Sequence, residues 1–287
     1  MSAKTPTRRQ LWRKAKSDLM MGITVAATAV TLLPLFIILA YLVAKGASSL
    51  NLAFFTHMPA PVGEKGGGMA NAIVGTLELI GLASLMGVPV GIGSGLYLAG
   101  HRSSPVAGAV RFGADVMMGV PSIVVGIFAY AIVVRPMGGF STLAGAVALA
   151  VIMIPLVTRT TEEMLLLVPH ELREAALALG VSGWRTTLWV VARTAASGIA
   201  TGVILAVARI AGETAPLLFT AFGNRFWSTS LTNPIASLTV QVYTYAISPF
   251  PDWQRQAWAG ALVLTSIVLA LELGVRWVTS GSARAVR

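Results

Sequence analysis

The sequence predicts an all-α membrane protein with six spans and both termini on one side. Three observations carry this reading. Only 11% of the 287 residues are charged, against about 25% in soluble globular chains, and the mean hydropathy is +0.77. Predominantly apolar runs recur at lengths near the ~20 residues that cross a bilayer core. The basic residues collect on one side of those runs, which is how polytopic proteins set their orientation.

Taken in order, residues 1–18 form a basic tail holding Lys4, Arg8, Arg9, Arg13, Lys14 and Lys16. Residues 19–44 follow without a charge. A cleaved signal has an apolar core of roughly 7–15 residues, so this longer run is expected to be a retained first span. Further spans are expected at about 70–99, 110–134, 142–158, 197–221 and 257–279, with a tail at 280–287. Pro89, Pro121 and Pro155 fall inside them, which membrane helices tolerate better than soluble ones. Six spans place fifteen of the 21 Lys and Arg on the side of the termini. Five fall on the other side, and Arg209 lies within the fifth span. The richer side is expected to be cytoplasmic. The net charge of +10 is therefore topological, and nucleic acid is not an expected partner. The stretch 231–248 is uncharged but carries Asn233, Pro234, Thr239 and Gln241. It is expected to be a periplasmic segment or short re-entrant helix, with Trp227, Tyr243, Tyr245 and Trp253 at the membrane interface. Residues 59–68, PAPVGEKGGG, read as a turn-rich loop before the second span.

Several function classes find no support. There is no cysteine, and His57, His101 and His170 are scattered without an H-E-x-x-H pair. No metal, cofactor or catalytic residue is expected. No lysine follows a glycine, so a Walker A loop is missing. An intramembrane enzyme needs clustered Ser, His and Asp or metal ligands, and the spans hold none. The glycines of Gly91-Ile92-Gly93-Ser94-Gly95 lack G-x-G-x-x-G spacing and suit close helix packing instead.

The loop at about 159–196 carries the most specific pattern. Strong helix formers run from Glu171 to Leu179, and Gly180 follows as a helix-ending glycine does. A second amphipathic helix is expected from about Gly183 to Val191. Together they make a knob, with small Ala175 and Ala176 admitting a close partner and Glu174 offering a charge. The pattern E-A-A-x-x-x-G at Glu174, Ala175, Ala176 and Gly180 resembles the EAA loop of binding-protein-dependent ABC permeases. Ala192-Arg193 stands where that pattern usually continues with Leu-Pro. The stretch from Ala206 to Thr220, AVARIAGETAPLLFT, is similar to the fifth span of PstA-type phosphate permease subunits. So are Arg159-Thr160-Thr161-Glu162-Glu163-Met164, Gly119-Val120-Pro121-Ser122, Asn71 to Thr76, and Phe226-Trp227-Ser228-Thr229.

That resemblance implies the type I importer fold, with cytoplasmic coupling helices and residence in the bacterial inner membrane. It implies a phosphate cargo and three partners: a second homologous permease subunit, a cytoplasmic ATPase dimer and a periplasmic phosphate-binding protein. Glu174, Ala175, Ala176 and Gly180 would couple the chain to the ATPase. A permease for sulfate or molybdate, and a passive channel or membrane scaffold, remain as alternatives.

Charges inside spans cost about 2.5–3.5 kcal/mol on insertion scales, so each needs a reason. Arg209 and Glu213 are i, i+4 neighbours, read either as a structural pair or as a path residue and its holder. A guanidinium fork matches phosphate oxygens. Arg159 is read either as an inner anchor or as a second cationic station on the path. Arg111 and Asp115 are expected to pair locally at i, i+4. Glu78 has no local partner and is expected to face the bundle interior.

Overall fold

The structure, a computed structural model, describes residues 8–284; Lys4 and Arg287, both counted among the cytoplasmic charges, lie outside the described residues. Helix α1 spans Arg8–Ala47, α2 Leu52–Thr56 and α3 Ala70–Gly100. Next come α4 at Pro105–Gly119, α5 at Ser122–Met137 and α6 at Thr142–Leu166. Helices α7 at His170–Ala178 and α8 at Gly183–Thr194 follow. The chain ends with α9 at Ala196–Ala211, α10 at Ala215–Leu218, α11 at Leu238–Ala246 and α12 at Pro251–Arg284. Four of these are long and apolar enough to cross a membrane, and six spans result if each of two bent pairs counts as one.

The pairing of α3 with α6 forms the centre of the bundle. Gly87, Gly91 and Gly95 recur every fourth residue along one face of α3 and meet Met153, Val157 and Thr161 of α6. A Cβ on Gly91 or Gly95 would lie 2.6 Å from Val157 or Thr161, so only glycine admits this separation. Gly93, pointing elsewhere, has open space around it. Close approach of small residues is how helices associate where lipid supplies no hydrophobic drive. Around this seam the apolar core gathers Leu79, Ala83, Leu149, Met153, Ala206 and Ile210. Among the described residues, helix α1 is held near its C-terminal end, where Gly46 abuts Leu262 and Tyr41 meets Trp258 edge-on at 5.1 Å.

The third expected span, 110–134, is broken, and the fifth is bent away from the loop helix that precedes it. Helices α4 and α5 meet at 106° at Val120-Pro121, and α8 and α9 meet at 71° at Ala195. Proline removes an amide donor and pushes its predecessor out of the helical region, which explains the first break; Val120 is extended, with ψ 130°. Helix α9 also ends earlier than the expected 197–221 run. Gly212 caps it, and Ala215–Leu218 forms a separate turn of helix. Helix α6, the expected fourth span, runs on past 158 to Leu166, which places Arg159 inside it.

The uncertain stretch near 231–248 forms α11, whose nine residues reach about 13 Å, under half of a bilayer core. Polar contacts pin it. Thr76 Oγ1 accepts from the Leu238 amide at 2.8 Å, and Thr239 Oγ1 donates to the Glu213 carbonyl at 3.0 Å. The turn before α11 also satisfies the first amides of α6, through the Asn233 and Leu231 carbonyls at 2.9 Å. Of the four aromatics expected at the membrane interface, Trp227 and Tyr243 are exposed. Tyr245 and Trp253 are instead buried and stacked on each other at 4.5 Å, because α11 folds back onto α12.

Candidate functional site

Three groups of residues carry the chemistry that the sequence singled out. The first is the knob. Helix α7 ends in a Schellman arrangement: Gly180 donates to the Leu177 carbonyl at 2.9 Å and Val181 to that of Ala176 at 3.1 Å. Gly180 sits at φ +83°, the left-handed conformation this cap requires. Helix α8 then runs back, tied to α7 by Arg173 donating to Thr187 Oγ1 at 3.0 Å. Ala176 is buried between the helices, while Glu174 and Ala175 face out. Glu174 lies 3.1 Å from His170 Nδ1. Leu179 and Trp184 stand 84% and 60% exposed, an apolar pair on the knob's outer rim.

A Cβ at Gly180 would meet nothing, so substitution there tests backbone conformation alone. Left-handed geometry costs an L-residue about 1–2 kcal/mol. Gly180→Val is therefore expected to speed hydrogen exchange roughly 10-fold or more across residues 170–194, by the usual conversion of free energy to rate. Unchanged protection there would show that the turn does not depend on glycine.

The second group is an ion network between α4 and α6. Arg111 donates to Glu162 Oε1 from Nε at 2.9 Å and from Nη2 at 2.6 Å. Arg159 donates from Nη1 to the other oxygen of Glu162. Its Nε lies 2.9 Å from Asp115 Oδ1, an ion contact whose angle makes no hydrogen bond. Glu163 is further off, at 3.9 Å. The expected local pair of Arg111 with Asp115 is thus replaced by two bridges across the helix interface. Glu162, 1% exposed, is the shared centre. Sequence reasoning passed it over, although its i, i+3 spacing from Arg159 was a visible signal.

The third group surrounds Arg209, at the C-terminal end of α9. Glu213 lies beyond the end of the helix, and its carboxylate is 3.6 Å from the guanidinium, too far for a hydrogen bond. Arg209 is 53% exposed and lines a cavity of about 100 Å³ with Ile152 and Leu156 of α6. Ile152, Leu156, Arg159 and Glu163 follow one stripe of α6, so Arg209 and Arg159 answer to the same face. Leu156 of the cavity and Arg159 of the ion network are three residues apart, about 4.5 Å along the helix. Glu78 is half-buried on α3 and makes no ion pair or hydrogen bond among the described residues.

Residues 87–286 match the family described as the binding-protein-dependent transport system inner membrane component. The chain belongs to this family. It is 48% identical over 270 residues to the phosphate transport system permease protein PstA of Yersinia pestis, covering 94% of this chain and 92% of that protein. The PstA protein of Haemophilus influenzae is 47% identical over 266 residues, 92% of this chain and 94% of that one. Among solved structures, the inward-facing MetNI methionine ABC transporter aligns with a TM-score of 0.62 at 17% identity, covering 74% of this chain and 95% of that one. A bacterial alginate ABC transporter, crystallised with its alginate-bound periplasmic protein, aligns with a TM-score of 0.65 at 14% identity, covering 92% and 95%. At such low identity these likenesses concern fold alone. The permease fold of ABC importers, expected from the spans and the EAA pattern, is the fold this family member has.

Proposed function

We propose that the chain is a transmembrane subunit of an ATP-driven importer for inorganic phosphate, working by alternating access in the inner membrane. The observation that carries the cargo is the identity of nearly half of all aligned residues with permeases named for phosphate transport. The geometry supports it: the Arg209 guanidinium, with no hydrogen bond of its own among the described residues, faces a small cavity. Five N–H donors in a planar fork suit a tetrahedral oxyanion.

In this reading the α7–α8 end faces the cytoplasm, and both termini lie on that side. Leu179, Trp184 and Glu174 of the knob contact a cytoplasmic ATPase, with Ala175 allowing close approach and Gly180 fixing the turn. A second permease of the same fold completes the channel, and a periplasmic phosphate-binding protein delivers the anion. ATPase closure moves the knob, and the stiff α7–α8 pair passes that movement to α9 through the bend at Ala195. Arg209 meets the anion on its way through, and Glu213 keeps the attraction weak enough for release. Arg159, surrounded by three carboxylates, holds α4 and α6 in register at the inner mouth.

Uptake of radiolabelled phosphate into cells deleted for the chain tests the cargo. Phosphate uptake is expected to fall to background and to return with the intact gene. Unchanged phosphate uptake alongside impaired sulfate uptake would overturn phosphate as the cargo.

A further inference from the structure

The motif Gly119-Val120-Pro121-Ser122 belongs to none of the three residue groups described above. The structure puts it at the 106° break between α4 and α5, against the cavity that Arg209 lines. Met117, Met118, Val120 and Ser122 supply that wall, while Ile152 and Leu156 supply the opposite one. The lining contains a single charge, the guanidinium, and no carboxylate. Ser122 is half-buried, and its hydroxyl has no hydrogen-bond partner among the described residues. A donor and a cation without hydrogen bonds of their own therefore share one small, otherwise apolar space.

We propose that this cavity is the oxyanion station of the permease and that Ser122 is its second ligand, donating its hydroxyl hydrogen to the anion that Arg209 holds. The inference rests on the phosphate reading and adds the place and the second contact. A volume of about 100 Å³ holds a tetrahedral anion with a few waters, on a scale where one water needs roughly 10–15 Å³. The first amides of α5 point back into the same break and add to the positive potential. A broken span thus does what half-helices do in other transporters, bringing backbone and side-chain donors to an anion within the membrane.

The site also explains why the break falls where it does. Pro121 fixes the turn and leaves Ser122 as the first residue of α5, so the hydroxyl is presented on the cavity side. An unbroken helix through 110–134 would have no end there to present.

The chain contains no cysteine, so a Ser122→Cys variant in the assembled complex carries its only thiol at the station. Labelling of residue 122 by a charged methanethiosulfonate, read by mass spectrometry in membrane vesicles with and without ATP, reports access. Phosphate at ten or more times its dissociation constant is expected to slow labelling at least about 10-fold, as site occupancy dictates, while equal chloride leaves it unchanged. Labelling that is absent in both states, or indifferent to phosphate and sulfate alike, overturns the station even if the native complex takes up phosphate. Protection by sulfate alone supports an oxyanion station and overturns the phosphate reading. As a second measurement, Ser122→Ala should weaken apparent phosphate affinity about 10-fold at unchanged maximal rate, and Ser122→Thr should restore it. Native affinity in the alanine variant overturns the role of the hydroxyl.

Discussion

Replacing Glu162 with alanine is expected to cost the folded chain about 3–5 kcal/mol, because it leaves two guanidinium groups without their shared carboxylate. Arg111 reaches Glu162 with two donors and Arg159 reaches it with a third, all around a side chain only 2% exposed. The remaining acids, Asp115 and Glu163, are 47% and 58% exposed and lie on the rim. Neither replaces the acceptor that Arg111 loses without moving into the helix interface, whereas Arg159 keeps its 2.9 Å contact with Asp115. The purified complex should melt well below the native one, and the yield of folded chain should fall. Glu162→Gln should be milder, since an amide oxygen still accepts from one arginine. Pairing Glu162→Ala with Arg111→Met should recover part of the loss, because removing both partners of a buried pair avoids the stranded charge. Native melting of the single alanine variant would show that the network does not hold α4 to α6.

This network also shows what a sequence conveys about a membrane protein and where it stops. Lipid-crossing helices are legible because the bilayer imposes length and apolarity on each one separately. The knob is legible for a similar reason: the Gly180 turn is a local event with a local residue requirement. Partners across a helix interface are set by rotation and depth instead. Arg111 and Asp115 have the spacing for a local pair, yet each faces α6 and finds a better partner there. The same limit hid the burial of Tyr245 and Trp253, which depends on α11 folding back rather than on their own sequence neighbours. Pro121 reads from the sequence only as a proline that a membrane helix tolerates. Whether it would kink the helix or turn it through 106° was decided by packing on α6 and α10. Gly126 lies so close to Pro216 that a Cβ would sit 2.7 Å from its Cα, and this contact holds α5 in the bent position.

Arg209→Gln is expected to abolish phosphate uptake, by about 100-fold or more, in a complex that still assembles. The estimate follows from losing two charge-assisted hydrogen bonds at about 1.5–3 kcal/mol each, offset in part by the amide that remains. Assembly should survive because the Arg209 side chain makes no hydrogen bond among the described residues, and its contact with Glu213 is long. Arg209→Lys should retain a fraction of uptake, since a point charge still attracts the anion but offers no planar fork. Uptake at the native rate in the glutamine variant would make the pair purely structural. The Glu213 side separates the two cases further. If Glu213 only anchors the end of α9, Glu213→Gln lowers stability and leaves transport kinetics alone. If it tempers Arg209, the same variant binds phosphate more tightly and releases it more slowly, so that apparent affinity rises while maximal rate falls. The second pattern is the one expected here, because a permease must let go of what it attracts.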